Sequence, residues 1–179
     1  MSEQPVEIHS SVEIAARVKA LAVEILQAPR TRELTILGVL EDSFVFLADL
    51  LRAINAPLRT AFLRYDQRAL GGVQDLSFTT QIDVRGREII LVEGVLDTGV
   101  TQEYLIKQLE ARGAACVRLC VLVDKPDSRR TTVEAAWRAF ETHEDYVVGY
   151  GLSFQERWRE LPYLATFARA SNREKSLKL

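Results

Sequence analysis

The chain has 179 residues, which is the size of a single globular domain with a substantial core. Apolar residues make up 47% of the sequence and charged residues 27%, as is typical of soluble globular proteins. Because the formal net charge is only −2, the composition gives no reason to expect binding to nucleic acid or to a membrane surface.

The sequence predicts neither a membrane span nor a secretory signal. No apolar run is long enough to cross a bilayer, and Glu3 and Glu7 stand where a signal peptide would be basic and then apolar. We therefore expect a cytoplasmic protein. Cys116 and Cys120 would lie about 13 Å apart on one face of a strand, too far for a disulfide, so we expect two buried, reduced thiols.

The first part of the chain alternates between helical and strand patterns. Ser10 and Ser11 can cap the first helix, and Pro29 ends it. The predicted elements are a helix over 12–28, a strand over Leu34–Leu40, a helix over 44–54 and a strand over 58–63. A long connection over 65–80 follows, and connections of this length are often functional.

A strand, a loop of small residues and a helix follow one another between residues 89 and 112. Four apolar residues over 89–92 indicate a strand buried on both faces, which we expect to end at Glu93 and Gly94. A helix over 102–112 comes next, and Gly113 ends it.

The loop between these two elements has the composition of an anion-binding loop. Loop amides and the first turn of a helix offer free N–H groups, and the helix dipole adds positive potential. Thr98 and Thr101 add hydroxyl donors, while Gly99 lets the backbone approach a ligand closely. The alternative is an ordinary connecting loop with a threonine cap, because single loop motifs match by accident.

The last part of the chain begins with a strand over 115–123, after which Lys125 lies where parallel sheets place their ligands. Considered alone, Lys125 is an ordinary exposed lysine, and Arg129 and Arg130 form a solvated basic pair. The remaining predictions are an ambiguous segment over 133–140, a final strand over 146–150 and a short helix over 154–158.

The pattern Glu-x-x-x-Asp-Thr-Gly-x-Thr over 93–101, placed after an apolar strand, resembles the phosphoribosyl-diphosphate signature of the type I phosphoribosyltransferases. Further stretches resemble the hypoxanthine-guanine branch of that family, namely 38–40, 44–52, 121–126, 147–152 and 159–163. The resemblance covers nearly the whole chain in the same order. It is divergent at several positions of the predicted site.

The resemblance implies an α/β fold of the type I phosphoribosyltransferase kind, a twisted and mostly parallel sheet flanked by helices with a small C-terminal hood. One domain would span 1–179, with a core over about 10–125 and a hood mainly over 126–170. It also implies transfer of phosphoribosyl from phosphoribosyl diphosphate to hypoxanthine or guanine in purine salvage. Pyrophosphate would leave with Mg²⁺, and the chain would form a homodimer or homotetramer.

The same resemblance assigns roles to individual residues. Asp97 would be the general base near purine N7, and Glu93 would contact the ribose hydroxyls. The 5′-phosphate would be bound by Asp97, Thr98, Gly99, Val100 and Thr101. The purine would be bound by Lys125, Tyr146 and Val147, with the Lys125 ammonium donating to the exocyclic oxygen of a 6-oxopurine.

On the pyrophosphate side the sequence departs from the family pattern. In the loop that usually reads Leu-Lys-Gly in this family, Glu41 stands at the Lys position and Asp42 at the Gly position, with Ser43 after them. Two carboxylates would therefore face a strongly anionic group. Alternatively, Glu41 turns outward and Asp42 caps the following helix. Arg159 matches an arginine that contacts the pyrophosphate in this family.

The metal ligands of the family are also altered. Gly94 replaces the second acid of the Glu-Asp pair, and Ser153 replaces an aspartate that holds a second Mg²⁺, which leaves Glu93 and Ser153 as the metal candidates. Two functions fit this pattern. One is a hypoxanthine-guanine phosphoribosyltransferase with impaired or altered pyrophosphate and metal handling, and the other is a catalytically weakened homologue that binds a purine nucleotide such as IMP or GMP as a regulatory protein.

Overall fold

The computed structural model describes residues 4–66, 75–78 and 82–167. Within these residues the helices are α1 (Ser11–Gln27), α2 (Phe44–Ala53) and α3 (Val100–Ala111), with a 3₁₀ turn at Pro126–Ser128. The strands are β1 (Val6–His9), β2 (Leu34–Leu40), β3 (Leu58–Asp66), β4 (Asp75–Phe78), β5 (Glu88–Leu96), β6 (Cys116–Asp124), β7 (Trp137–Glu141), β8 (Val147–Val148) and β9 (Leu164–Thr166). No helix in the described part of the chain is long and apolar enough to cross a membrane.

The larger sheet has the order β4-β3-β2-β5-β6-β7. Five neighbouring strands run parallel, in the order β3, β2, β5, β6 and β7. The edge strand β4 pairs antiparallel with β3. The register places Leu37 beside Leu91, and Leu91 beside Leu119. The predicted α/β fold with a mostly parallel sheet is therefore confirmed.

Both faces of the sheet are buried because successive residues of β5 point to opposite sides. Ile90 and Val92 pack into the cluster that contains α1 and α2, whereas Ile89 and Leu91 pack into the cluster that contains α3. All four side chains are at most 1% exposed, and burial of each stabilises the fold by about 1.5–3 kcal/mol. The predicted doubly buried strand is confirmed.

The first helix begins at the predicted cap. The Ser10 hydroxyl accepts a hydrogen bond from the Glu13 backbone N–H, and the Glu13 carboxylate accepts one from the Ser10 backbone N–H at 2.7 Å. This reciprocal capping box satisfies two N–H groups that the helix start leaves free.

A smaller antiparallel sheet forms the hood, with the strand order β1-β9-β8. Its strand β1 is N-terminal and was not predicted, because four half-exposed residues give no periodic signal and pair only with distant β9. The ambiguous segment 133–140 contains the start of β7, which belongs to the larger sheet. The predicted strand over 146–150 is reduced to β8.

Three other predictions differ from the structure. The strand β5 does not end at Glu93, because its pairing with β6 continues to Leu96. The connection predicted over 65–80 includes the end of β3 and all of β4, while residues 67–74 and 79–80 lie outside the described part. Cys120 is buried as predicted, but Cys116 at the start of β6 is exposed.

The short helix predicted over 154–158 is wrong. Gln155, Glu156 and Trp158 all have positive φ angles, of 51°, 63° and 70°, which a right-handed helix does not allow. Phe154 and Arg157 instead form an isolated antiparallel bridge. The rings of Phe154 and Trp158 pack against Phe167, so tertiary packing overrides local propensity here.

Candidate functional site

The site lies where the carboxyl ends of the parallel strands β2, β5 and β6 meet, and the hood covers it from one side. Each strand delivers one loop to this edge of the sheet. The loops are 41–43 after β2, 97–99 after β5 and 125–131 after β6, and the hood contributes 145–153 and Arg159.

The loop after β5 has the geometry of an anion-binding loop. Gly99 is the N-cap of α3, has a φ of 83° and is buried, and a Cβ at this position would overlap the Thr131 hydroxyl. Glycine is therefore required here for both conformation and space. Val100 and Thr101 form the first helical turn behind it, and the Thr98 hydroxyl accepts a long hydrogen bond of 3.5 Å from the Val100 N–H.

Arg129 packs against one side of this loop, which the predictions from the sequence missed. Its side chain lies against Gly99 and pairs with the buried carboxylate of Asp124, which also accepts a hydrogen bond of 3.0 Å from Arg138. Arg129 Nη1 is buried and has no hydrogen-bond partner among the residues that the structure describes. The prediction of a solvated pair is therefore wrong for Arg129 but right for the exposed side chain of Arg130.

A signal for Arg129 was present in the sequence. Asp124 ends a doubly buried strand, and a buried carboxylate requires a cation nearby. The basic pair that begins five residues later was the available partner. The Arg130 backbone N–H also donates to the Thr98 carbonyl at 2.9 Å, which joins the 125–131 loop to the anion-binding loop.

Lys125 connects the end of β6 to both neighbouring parts of the site. Its Nζ donates to the Asp145 carbonyl oxygen at 2.7 Å and lies 3.6 Å from the Asp97 carboxylate. The Lys125 side chain is only 12% exposed, whereas that of Asp97 is 50% exposed. Lys125 is therefore not the ordinary surface lysine that its residue type alone suggests.

The other two predicted purine residues lie in or next to β8. Tyr146 is 54% exposed, and its ring contacts Phe154 at a centroid distance of 4.9 Å and an interplanar angle of 59°. Val147 is partly buried and pairs with Thr166. An aromatic ring that is supported on one side and open on the other suits stacking against a planar base.

On the predicted pyrophosphate side, Arg159 is already paired within the protein. It forms an ion pair with Asp42, donates to the Gly151 carbonyl oxygen at 2.6 Å and lies 3.8 Å from the Glu41 carboxylate. Glu41 is also 3.3 Å from Arg64, which lies at the end of the neighbouring strand β3. The two carboxylates therefore neutralise the arginine that was expected to contact pyrophosphate.

The alternative interpretation of this loop is wrong in one part. The N-cap of α2 is Ser43 and not Asp42, and the Ser43 side chain donates to the Val39 carbonyl oxygen at 2.5 Å without capping the helix. Ser43 is fully buried. The side chains of Glu41 and Asp42 are 62% and 55% exposed, so the carboxylates of the loop face the site. The loop backbone is held by the buried Ser43 and its hydrogen bond to Val39.

The position of the missing acid is filled by neighbouring groups. A Cβ at Gly94 would lie 2.7 Å from a methyl carbon of Leu152 and 2.9 Å from the Asp42 carbonyl oxygen. Both distances are shorter than real Cβ contacts, so a larger residue requires the loop or Leu152 to move.

Glu93 points into the protein. It is 7% exposed, and its Oε2 accepts a hydrogen bond of 2.6 Å from Gln102, while its Oε1 has no partner in the described ranges. Burial, together with the negative charge of Asp42, raises the pKa of Glu93 to about 7 from an ordinary value of 4.5, although the Gln102 hydrogen bond opposes the shift.

These donors do not fit a magnesium ion held by the protein. Mg²⁺ prefers charged oxygen ligands in an open octahedral arrangement. Glu93 is enclosed, position 94 has no side chain, and Ser153 brings no charge. In the described residues no group of three or more His, Cys, Asp or Glu side chains could hold a metal ion.

The histidines lie outside this arrangement. His143 Nδ1 lies 2.7 Å from the Asp127 carboxylate, and both side chains are largely exposed. His9 is partly buried and stacks on Phe140 at a centroid distance of 3.9 Å.

Comparisons with known proteins agree with this architecture. Residues 6–156 match the family described as "Phosphoribosyl transferase domain". The chain is 33% identical over 162 residues to a hypoxanthine phosphoribosyltransferase of Haemophilus influenzae, covering 87% of this chain and 90% of that protein. It is 34% identical over 164 residues to a hypoxanthine-guanine phosphoribosyltransferase of Mycobacterium tuberculosis, covering 86% of this chain and 81% of that protein.

A solved structure gives the same result at the level of the fold. The crystal structure of a hypoxanthine-guanine phosphoribosyltransferase from Bacillus anthracis superimposes with a TM-score of 0.84 at 27% identity, covering 94% of this chain and 100% of that chain. Sequence, fold and the position of the anion-binding loop therefore lead to one conclusion. The chain belongs to the phosphoribosyltransferase family and, within it, is a relative of the hypoxanthine-guanine enzymes of purine salvage.

Proposed function

We propose that this protein binds a 6-oxopurine nucleoside 5′-monophosphate such as GMP or IMP, and that it handles pyrophosphate and Mg²⁺ less well than its relatives. The observation that carries the proposal is the position of Lys125. Its ammonium lies between Asp97 and the Asp145 carbonyl, beside the loop that ends at Gly99 and next to β8. This one side chain joins the proposed purine end of the pocket to the proposed phosphate end.

The chemistry of Lys125 supports a 6-oxopurine over adenine. An ammonium has three N–H donors and no acceptor. One donates to the Asp145 carbonyl oxygen, and the ion pair with Asp97 at 3.6 Å leaves at least one further donor for a ligand. This donor fits the exocyclic oxygen of guanine or hypoxanthine. Adenine carries an amino group at that position, so its binding would place two donors face to face.

The phosphate end of the pocket combines three kinds of attraction for a dianion. The first turn of α3 supplies N–H groups and the positive end of the dipole, and Thr98 and Thr101 supply hydroxyls. Arg129 adds a positive charge behind Gly99. Asp97, which is half exposed at this loop, is the proton acceptor we propose for purine N7 in any residual transfer reaction.

A second candidate function is a nucleotide-binding regulatory protein without useful catalysis. The ion pair of Arg159 with Asp42 favours it, because release of pyrophosphate from phosphoribosyl diphosphate needs stabilised negative charge on the leaving group. In either case we propose a homodimer or homotetramer, which light scattering during size-exclusion chromatography tests.

Calorimetric titration with GMP and AMP tests the binding proposal, and pyrophosphorolysis of IMP with Mg²⁺ separates the two candidate functions. We expect GMP to bind at least about tenfold more tightly than AMP, since the adenine amino group leaves a buried donor unpaired. Equal or absent binding of the two nucleotides contradicts the proposal. Pyrophosphorolysis at a rate comparable to that of an intact relative excludes the regulatory function. Tight GMP binding without pyrophosphorolysis excludes the enzymatic function.

A further inference from the structure

We propose that Glu41 and Asp42 are specificity determinants that occupy the diphosphate subsite from within the protein. They make the pocket selective for nucleoside monophosphates over phosphoribosyl diphosphate and free diphosphate. The inference rests on the proposed function, because it assigns the same pocket a ligand class. It goes beyond the loss of positive charge from the loop, because the two carboxylates occupy the subsite that a diphosphate would otherwise fill.

The first step concerns Arg159, which already contacts three acceptors within the protein. Its Nη1 contacts both the Asp42 carboxylate and the Gly151 carbonyl oxygen, and its Nη2 faces the Glu41 carboxylate. A carboxylate and a phosphate oxygen compete for the same guanidinium edge. An entering diphosphate therefore has to separate Arg159 from Asp42. It then lies beside the uncompensated Asp42 carboxylate and close to Glu41, both of its own sign.

The second step is that the loop is fixed in this position. The Asp42 carbonyl oxygen packs against Gly94 of β5 and against Gly151 of the hood, at 2.9 Å and 3.4 Å from the positions that a Cβ would take there. Ser43 is fully buried and bonded to Val39 at the end of β2. Arg64 holds the Glu41 carboxylate from the side of β3. Contacts from three strands and the hood thus keep both carboxylates at the site.

The third step joins substitutions that look independent in the sequence. An acid at position 94 would collide with the backbone of Asp42, so Gly94 is the residue that lets the acidic loop pack at this depth. Leu152 fills the remaining space beside it and immediately precedes Ser153. The changes at 41–42 and 94 are therefore parts of one packing arrangement, and not separate losses.

The fourth step is that a monophosphate avoids this repulsion. Its phosphate belongs at the loop after β5, where Gly99 and the start of α3 lie, and its base belongs beside Lys125 and Tyr146. It carries no second anionic group toward Arg159. The carboxylates therefore discriminate between ligands mainly through the group that the monophosphate lacks.

The test is direct calorimetric titration with inorganic diphosphate and, separately, with GMP, in the presence of Mg²⁺. The variant Glu41→Gln/Asp42→Asn removes both negative charges and keeps the side-chain shapes. The matched control Glu156→Gln/Glu160→Gln changes the net charge by the same amount, at two exposed residues of the hood segment that contains Arg159. We expect the ratio of diphosphate affinity to GMP affinity to rise at least about tenfold in the first variant and to stay unchanged in the control.

An unchanged ratio in Glu41→Gln/Asp42→Asn overturns the inference, and so does tight binding of diphosphate by the unmodified protein. Because diphosphate binding is measured directly, this result does not depend on GMP. Failure of the unmodified protein to bind GMP instead contradicts the proposed function. If the double variant loses its thermal unfolding transition, Asp42→Asn alone frees the closest contact of Arg159, and a ratio that does not rise in that variant likewise overturns the inference.

Discussion

At the scale of single residues, the site is organised by a few charged side chains that are buried or half-buried. Lys125, Glu93 and Arg129 each lie within reach of a group that determines their state, and each can be changed without removing an apolar contact of the core. Their substitution therefore separates electrostatic roles from packing.

Lys125→Met removes the ammonium and keeps the length of the side chain. We expect GMP to bind about tenfold to a hundredfold less tightly and the preference over AMP to disappear, because the donor for the exocyclic oxygen is lost. Lys19→Met, at an exposed position of α1, is the matched control and leaves both affinities unchanged. A variant of Lys125 that still discriminates GMP from AMP contradicts the assignment.

Glu93 makes stability depend on pH. Its pKa is raised to about 7 in the folded protein from an ordinary value of 4.5, so the folded state binds more protons than the unfolded state between these values. Its contribution to stability is full below about pH 4.5 and is lost as the pH rises through about 7, which amounts to about 3 kcal/mol.

The variant Glu93→Gln removes this titration. We measure the free energy of unfolding of both proteins with denaturant and subtract the value of the unmodified protein from that of the variant. We expect this difference to rise by about 3 kcal/mol between pH 4.5 and pH 8. The control Glu110→Gln, at an exposed position of α3, shows no such pH-dependent difference. If the free energy of unfolding depends on pH in the same way in the unmodified protein and in Glu93→Gln, the result contradicts the burial of an ionisable carboxyl group at this position.

Arg129 and Arg130 form a natural pair for comparison, because only the first is packed against Gly99 and bonded to buried Asp124. Arg129→Gln should lower the free energy of unfolding by about 1–3 kcal/mol, since Arg138 remains as a partner of Asp124, and should weaken GMP binding. Arg130→Gln should change neither quantity. Equal effects of the two substitutions in denaturant titrations and calorimetry would show that Arg129 has no special role.

At the scale of helices and strands, the sequence predicted the elements whose signals are local. The capping box at Ser10, the doubly buried run of β5 and the glycine at the start of α3 are all local patterns, and all predict elements that the structure contains. The strand β1 depends on pairing with distant β9, and the turn over 154–158 is accompanied by packing of the Phe154 and Trp158 rings against Phe167. Local periodicity carries no information about them.

Gly94 links two of these elements, because it allows the loop after β2 to pack against β5. Gly94→Ala places a Cβ within 2.9 Å of the Asp42 carbonyl oxygen and should lower the free energy of unfolding by about 1–3 kcal/mol. Gly86→Ala is a comparison at a turn where a Cβ makes only ordinary van der Waals contact with Arg32, so the φ of 66° is the source of any loss. Unchanged stability and unchanged loop conformation in Gly94→Ala would contradict the coupled packing of the acidic loop.

At the scale of the whole molecule, the site joins residues that are far apart in the sequence. Arg159 and Asp42 are separated by 117 positions, and Lys125 and its acceptor Asp145 by 20. The resemblance predicted which residues gather at the site, because an inherited fold fixes which loops meet. It could not predict that Arg159 pairs with Asp42, since the family pattern has a glycine and not a carboxylate at position 42.

The proposed site as a whole has two halves that differ in their chemistry. The half formed by β5, β6 and β8 offers donors and an aromatic surface, and the half formed by the loop after β2 and Arg159 is neutralised by internal ion pairs. Such a division is expected if binding of a nucleoside monophosphate has been retained while affinity for the leaving diphosphate has been reduced.

A crystal structure of the protein with GMP tests this account most directly. We predict the 5′-phosphate against residues 97–101, the purine oxygen within hydrogen-bond distance of Lys125 Nζ, and Arg159 still paired with Asp42. GMP bound elsewhere, or bound with Arg159 released from Asp42 and turned toward the ligand, would contradict it.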